Sequence, residues 1–289
     1  MTQRERGGIP VLAITEIFSR EKSGGLLPLA SRSAALLEDA TPSTGTMRDT
    51  GMAAPALPAN PVFVALDTVD LDRALAWATS VREHVGGVKL GMEFVNAQGP
   101  AGIARIVDTG APVFLDLKFH DIPNTVAGAV RAVSGLGVAI LNVHASGGRA
   151  MMQAALAAAE ETAGTGRPLV IGVTVLTSLD DSDLEDVGQA TPARLQVERL
   201  ARLTQASGLD GVVCSPQEIA ALRATCGSDF SLIVPGIRPA GAATGDQKRI
   251  MTPRQACDLG ADVLVIGRPI TQAADPAAAA AAIAEELDI

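Results

Sequence analysis

From Pro61 to the C-terminus one pattern repeats eight times: a short apolar run closing on a polar residue, then a stretch with helical spacing. The runs are Val62–Leu66, Gly87–Leu90, Val113–Leu117, Val138–Val143, Leu169–Val175, Gly211–Cys214, Leu232–Val234 and Val263–Ile266. They are rich in Val, Leu and Ile and do not alternate with polar residues, as parallel strands buried on both faces do not. Between them, Ile122, Val126, Val130 and Val133 keep a 3.6-residue face, as do Met152, Leu156 and Ala159, and Val197, Leu200 and Ala201. Pro123, Pro192, Pro216, Pro253 and Pro276 sit near helix starts, where a missing N–H costs nothing. Eight strand-then-helix units in residues 61–289 predict a slightly compact α/β barrel of the (β/α)8 TIM type. An open, doubly wound sheet is the alternative; it requires six or seven strands and a reversal of strand order.

Residues 1–60 lack this pattern. Six basic and six acidic residues cancel there, so the net charge of −9 lies downstream. Segments such as Pro42-Ser43-Thr44-Gly45 show no period, and the composition predicts a disordered extension that cannot offset its ordering entropy. The apolar run Gly8 to Phe18 is interrupted by Pro10 and Glu16 and is far short of the roughly 20 residues of a membrane span. No small-residue cleavage site closely follows it, and the acidic residues argue against a transit peptide. The expectation is a dispensable segment, with Met47 or Met52 as a natural start and a barrel domain over 61–289.

An acidic chain with a pI near 4.9, one Trp and no Tyr has neither the basic footprint nor the stacking surface for nucleic acid. Cys214, Cys226 and Cys257 form no CxxC pair and leave an odd thiol, which predicts a reducing cytoplasm.

In such barrels the C-terminal strand ends carry the chemistry. Those ends read Asp67, Lys89, Asp116 with Lys118, His144, Thr177, Arg238 and Arg268. One strand-end Asp or Lys is usually a solvated residue, but four on three consecutive strands are not explained that way. Asp116 and Lys118 are two apart, so a regular strand points them to one side, and Asp121 follows in the next loop. At about 4 Å and an effective dielectric near 20, each opposite-charge pair is worth roughly 4 kcal/mol before desolvation. Such an array can hold an ammonium group in place. Pro235-Gly236-Ile237-Arg238 and Gly267-Arg268 follow strands seven and eight, where many barrels bind phosphate. His144 is expected to pack or to support the site. With His84 and His120 it forms no metal-ligand spacing, so no metal site is expected. Met151 and Met152 read as core, and Ala277 to Ala282 as strong helix propensity.

The stretch Asp116-Leu-Lys-Phe-His-Asp-Ile-Pro-Asn-Thr125 resembles the D-x-K-x-x-D signature of the orotidine 5′-phosphate decarboxylase family in its bacterial form. Val64-Ala-Leu-Asp67, Val88-Lys-Leu-Gly91, Asn142-Val-His-Ala-Ser146, Val173-Thr-Val-Leu-Thr-Ser178, Pro235-Gly-Ile-Arg-Pro239, Gly245-Asp-Gln-Lys-Arg249 and Val265-Ile-Gly-Arg-Pro269 resemble family segments in family order. The resemblance covers about residues 60–287. It implies decarboxylation of orotidine 5′-monophosphate to UMP, the last step of de novo pyrimidine synthesis, without a cofactor. Lys118 is implied to stabilise the carbanion at C6 and protonate it, and Asp116 to crowd the departing carboxylate. Asp67 is implied to bind ribose, and Lys89 to bridge ribose and the carboxylates. The substrate site is implied to take in Leu117, Phe119, His120, Ile122, Pro123 and Asn124, with Thr177 on the base and Gly267, Arg238 and Arg268 at the phosphate. Gln247 is implied to span base and phosphate from a Gly- and Ala-rich lid, Gly241 to Asp246. Asp121 and Thr125 are implied to reach the partner's site in a homodimer.

Two other functions stay open at this stage. A Mg2+-dependent sugar-phosphate enzyme needs a further strand-end carboxylate, where this chain has His144 and Thr174. A non-catalytic phosphate-binding barrel has no reason to keep Asp116, Lys118 and Asp121 together.

Overall fold

In a computed structural model of the chain, residues 56–162, 166–239 and 251–289 are described. Among them eight parallel strands pair in chain order and close into a barrel. They are β1 Val62–Ala65, β2 Gly87–Gly91, β3 Val113–Phe119, β4 Ile140–His144, β5 Leu169–Val173, β6 Gly211–Val213, β7 Ser231–Pro235 and β8 Val263–Ile266. Closure is made by β8 on β1, with Val62, Phe63 and Val64 opposite Leu264, Val265 and Ile266. The expected (β/α)8 architecture is therefore the observed one, and the open sheet is excluded.

The core has two layers, as the two-sided burial of the strands requires. Phe63, Phe114, Ile140, Leu169, Ile171, Ile233 and Val263 fill the barrel interior. The alternate residues, such as Val62, Val64, Leu115, Leu141 and Val170, pack outward with the buried helix faces in a larger cluster. Val126, Val130 and Val133 of the helix Pro123–Ser134 are buried as expected. Ile122 is not: it stands before the helix with extended backbone and is 67% exposed. Pro123 sets that start, because a proline in the first turn also pushes the residue before it out of helical conformation.

Most strand ends fall within one residue of expectation, and three differ by two: β3 runs on to Phe119, β4 starts late and β5 stops early. β4 begins at Ile140, two residues late, after Gly137 turns the chain at φ 81°. β5 stops at Val173, because the Thr174 hydroxyl donates to the Val213 carbonyl at 2.9 Å and the chain leaves the sheet.

The two ends of the barrel use polar residues differently. At the N-terminal end, Asp210 accepts from the Val170 N–H and both guanidinium nitrogens of Arg167. Asp262 likewise accepts from the Leu232 N–H and from Arg223. Asn60 accepts from the Val62 N–H and donates to the His84 carbonyl. These groups satisfy the strand starts and leave little for chemistry. The expectations for residues 1–55, which hold nearly all of the predicted extension, lie outside the described residues.

Candidate active site

At the opposite, C-terminal end the polar residues converge. β2 delivers Lys89, almost fully buried, with its Nζ 3.3 Å from Asp67 Oδ1 and 3.5 Å from Asp116 Oδ2. Gly91 leaves the space for it, since a Cβ there would stand 3.2 Å from that nitrogen. Lys118 Nζ donates to Asp116 Oδ1 at 2.6 Å. Asp116 thus takes one ammonium on each oxygen. Burial raises its carboxyl pKa, but Lys89, Lys118 and the hydrogen bonds from Lys118 and Asn142 outweigh that, and the net value lies below the ordinary 3.8.

The contact between Asp116 and Lys118 does not arise from a regular strand, as their spacing suggested. Pairing slips between Leu115 opposite Leu141 and Phe119 opposite Val143: β3 advances four residues while β4 advances two. Within this bulge Lys118 takes φ 53°, a left-handed backbone that costs a non-glycine residue about 1–2 kcal/mol. Bulges re-aim side chains beside active sites, and strain there persists only where surrounding contacts enforce it. The enforcing contact is Asn142, fully buried on β4. Its Oδ1 accepts from the Lys118 backbone N–H at 2.7 Å, and its Nδ2 donates to Asp116 Oδ1 at 2.7 Å. Sequence reasoning assigned Asn142 no role. The available signal was one amide inside the apolar run Ile140-Leu-Asn-Val143.

Asp121 does not join this array within one chain. Among the described residues its carboxylate accepts from the Ile122 N–H and enters no ion pair. Asn124 and Thr125 are exposed beside it. His144 ends β4 with its ring 5.4 Å from that of His120, their planes tilted by 42°. Burial, then the charges of His120 and Lys118, lower its pKa against an opposing pull from Asp116, so the neutral imidazole is favoured.

Two cavities open on these residues. One of about 180 Å³ is lined by Asp116, Lys118, Thr177 and apolar side chains from and just after β5, β6 and β7, including the buried Cys214 that follows β6. Burial raises the Cys214 thiol well above its ordinary value, so that wall is a neutral one. The other, of about 430 Å³, is lined by Asp67, Gly236, Arg238, Gly267 and Arg268. Lys89, Pro235 and Val265 border both. Gly236 turns the chain at φ 81°, a conformation suited to glycine, and Arg238 follows it into the wall. Arg238 is buried, and its Nε has no hydrogen-bond partner among the described residues. Its backbone N–H donates to the Met251 carbonyl, which fixes the point where the chain leaves and rejoins the barrel. Gln247 and the loop Gly241 to Asp246 lie outside the described residues. Among those residues no group of three His, Cys, Asp or Glu is placed to hold a metal ion. No helix there is long and apolar enough to cross a membrane.

The site thus joins an apolar pocket with a fixed ammonium in its wall to a polar pocket with arginine walls. Residues 60–283 match the Orotidine 5′-phosphate decarboxylase / HUMPS family. The chain is 55% identical over 233 residues to orotidine 5′-phosphate decarboxylase of Paramagnetospirillum magneticum, covering 80% of this chain and 99% of that one. It is 57% identical over 232 residues to the Rhodospirillum rubrum protein of the same name, covering 79% and 94%. A crystal structure of orotidine 5′-phosphate decarboxylase from Lactobacillus acidophilus superposes with a TM-score of 0.71 at 38% identity, covering 80% of this chain and all of that one. With the sequence motifs, the closed barrel and the match in agreement over the same residues, the chain belongs to the orotidine 5′-phosphate decarboxylase / HUMPS family.

Proposed function

We propose that this chain converts orotidine 5′-monophosphate to UMP and CO2, the closing step of pyrimidine nucleotide synthesis. The observation that carries the reading is the Lys118 ammonium, fixed on Asp116 in the wall of the smaller cavity. The two joined cavities suit the two ends of this nucleotide, the base beside Thr177 and the phosphate beside Arg238, Gly267 and Arg268. Lys89 borders both cavities and pairs with Asp67 in the larger, and the two are assigned to the ribose.

Breaking the C6–carboxylate bond leaves an electron pair on C6, and no adjacent carbonyl is positioned to absorb it. A cation already in place stabilises that charge without reorganising in the transition state. Lys118 serves as that cation and then transfers a proton from Nζ to C6, leaving a neutral amine and UMP. Asp116 stands where the substrate carboxylate must lie, and their repulsion is relieved as CO2 leaves. Arginine contacts to the phosphate supply binding energy remote from C6 that holds the base against the charged array.

The active unit is proposed to be a homodimer in the cytoplasm. Among the described residues Lys118 has one carboxylate partner of its own, and Asp121 enters no ion pair beside the 67%-exposed Ile122. A second copy offering Asp121 and Thr125 supplies the missing carboxylate and covers that apolar surface. No cofactor, nucleic acid or membrane enters this scheme. Residues 57–60 are part of the barrel through Leu57 and Asn60, whereas the residues before Met52 are proposed to be dispensable, and a chain starting at Met52 is expected to keep full activity.

The test follows the ultraviolet absorbance of orotidine 5′-monophosphate with the protein in excess EDTA. Steady loss of substrate signal is expected. No loss refutes the reading, and a strict requirement for added Mg2+ favours a metal-dependent reaction of the same barrel.

A further inference from the structure

We propose that Asn142 is a positioning residue, whose single amide holds Asp116 and Lys118 in their working geometry; this rests on the decarboxylase reading above. The bulge in β3 takes the Lys118 N–H out of regular pairing with β4, and a buried N–H requires a replacement acceptor. Asn142 Oδ1 is that acceptor, at 2.7 Å. The same side chain donates through Nδ2 to Asp116 Oδ1, which also receives Lys118 Nζ. A closed ring results, running from amide to backbone N–H, along the Lys118 side chain to the carboxylate, and back to the amide. The left-handed backbone at Lys118 lies inside that ring.

The partners fix the orientation of the amide. A backbone N–H faces the oxygen and a carboxylate faces the nitrogen, so a flipped amide would meet donor with donor and acceptor with anion. Neither an apolar residue nor a carboxylate can make both contacts at neutral pH. Asn142 does not line the larger cavity, the one proposed for the phosphate. Its loss should therefore lower kcat and leave affinity for the product almost unchanged.

The experiment compares wild type, Asn142→Ala and Asn142→Asp in turnover of orotidine 5′-monophosphate across pH, in UMP affinity, and in thermal unfolding. For Asn142→Ala, kcat is expected to fall roughly 10- to 100-fold at every pH, since a misplacement of about 1 Å has that effect. UMP affinity is expected to stay within about threefold. In Asn142→Asp the introduced carboxyl lies at hydrogen-bond distance from Asp116, and two such carboxylates hold one proton between them. While protonated, it donates to Asp116 and accepts from the Lys118 N–H, reproducing the amide. As pH rises and that proton leaves, the ring opens. The variant should therefore lose kcat with rising pH where wild type and Asn142→Ala run parallel. The other charged or titratable groups facing Asp116 are Lys89 on β2, Lys118 on β3 and His144 on β4, with Asp67 beyond Lys89. All are shared by the three proteins, so the difference belongs to position 142.

An Asn142→Ala enzyme with kcat within about twofold of wild type overturns the proposal. So does an Asn142→Asp profile parallel to wild type, which decides alone if the alanine variant is insoluble. A wild-type chain inert toward orotidine 5′-monophosphate refutes the functional reading instead, and this inference falls with it.

Discussion

Replacing Lys118 with alanine tests the proposed chemistry most directly. An ammonium about 4 Å from a full charge on C6, at an effective dielectric near 20, stabilises it by about 4 kcal/mol. That is roughly three decades of rate. Loss of the positioned proton donor removes a further factor of about 10² to 10⁴. The expected fall in kcat is therefore about 10⁵-fold or more. Binding should survive. Asp116 loses its 2.6 Å partner but keeps Lys89 at 3.5 Å, and Arg238 and Arg268 line the cavity proposed for the phosphate. The assay pairs the absorbance decay of orotidine 5′-monophosphate with calorimetric titration of UMP into the same protein. A variant retaining kcat within about 100-fold of wild type, less than the proton donor and the electrostatic contribution together, refutes the assigned role.

Mixing inactive Lys118→Ala with inactive Asp121→Asn under subunit exchange should restore about one quarter of wild-type activity, because half the dimers then carry one intact site of two. No recovery would place Asp121 in its own subunit's site. Arg238→Met should weaken UMP binding about 10- to 100-fold, the worth of a charge-assisted hydrogen bond, and leave uridine binding unchanged; equal effects on both ligands would remove the phosphate from that cavity. For His144, burial and then the His120 and Lys118 charges depress the folded-state pKa below 6.5. The unfolded chain therefore takes up the proton first, so this contribution to stability is present above 6.5 and is lost as pH falls toward the lower folded value. Urea midpoints measured from about pH 7.5 to 5.5 should decline less in His144→Asn than in wild type, and equal declines would contradict the assignment.

How far the sequence could be read follows from where each property is encoded. The eight strands were legible because burial on both faces writes itself as uninterrupted Val, Leu and Ile. Asp67, Lys89, Asp116 and Arg238 were legible because a charge closing such a run has no packing reason to be there. Four features were not. The left-handed backbone at Lys118 has no compositional sign, since glycine normally marks φ > 0 and lysine stands there instead. The slip between β3 and β4 depends on contacts with a neighbouring strand, and so does the role of Asn142. Ile122 fits the helical period of its segment, yet Pro123 starts the helix one residue later and leaves Ile122 in solvent.

For the proposed decarboxylation, the charge balance of the array has a consequence for how the carbanion would be stabilised. Lys89 and Lys118 are balanced by Asp67 and Asp116, so four charges linked in a chain by contacts of 2.6 to 3.5 Å sum to zero. A carboxylate entering beside Asp116 is repelled by it and attracted by Lys118. When its bond to C6 breaks, the negative charge moves from the departing group onto C6, and the total in the pocket does not change. Only its position relative to Lys118 does, so the free energy gained is electrostatic and requires no inflow of water or counterion. In the proposed mechanism the bulge sets how the Lys118 ammonium meets Asp116. Lys118 Nζ reaches that carboxylate from a left-handed backbone, at a cost that the two hydrogen bonds of one buried amide help to offset.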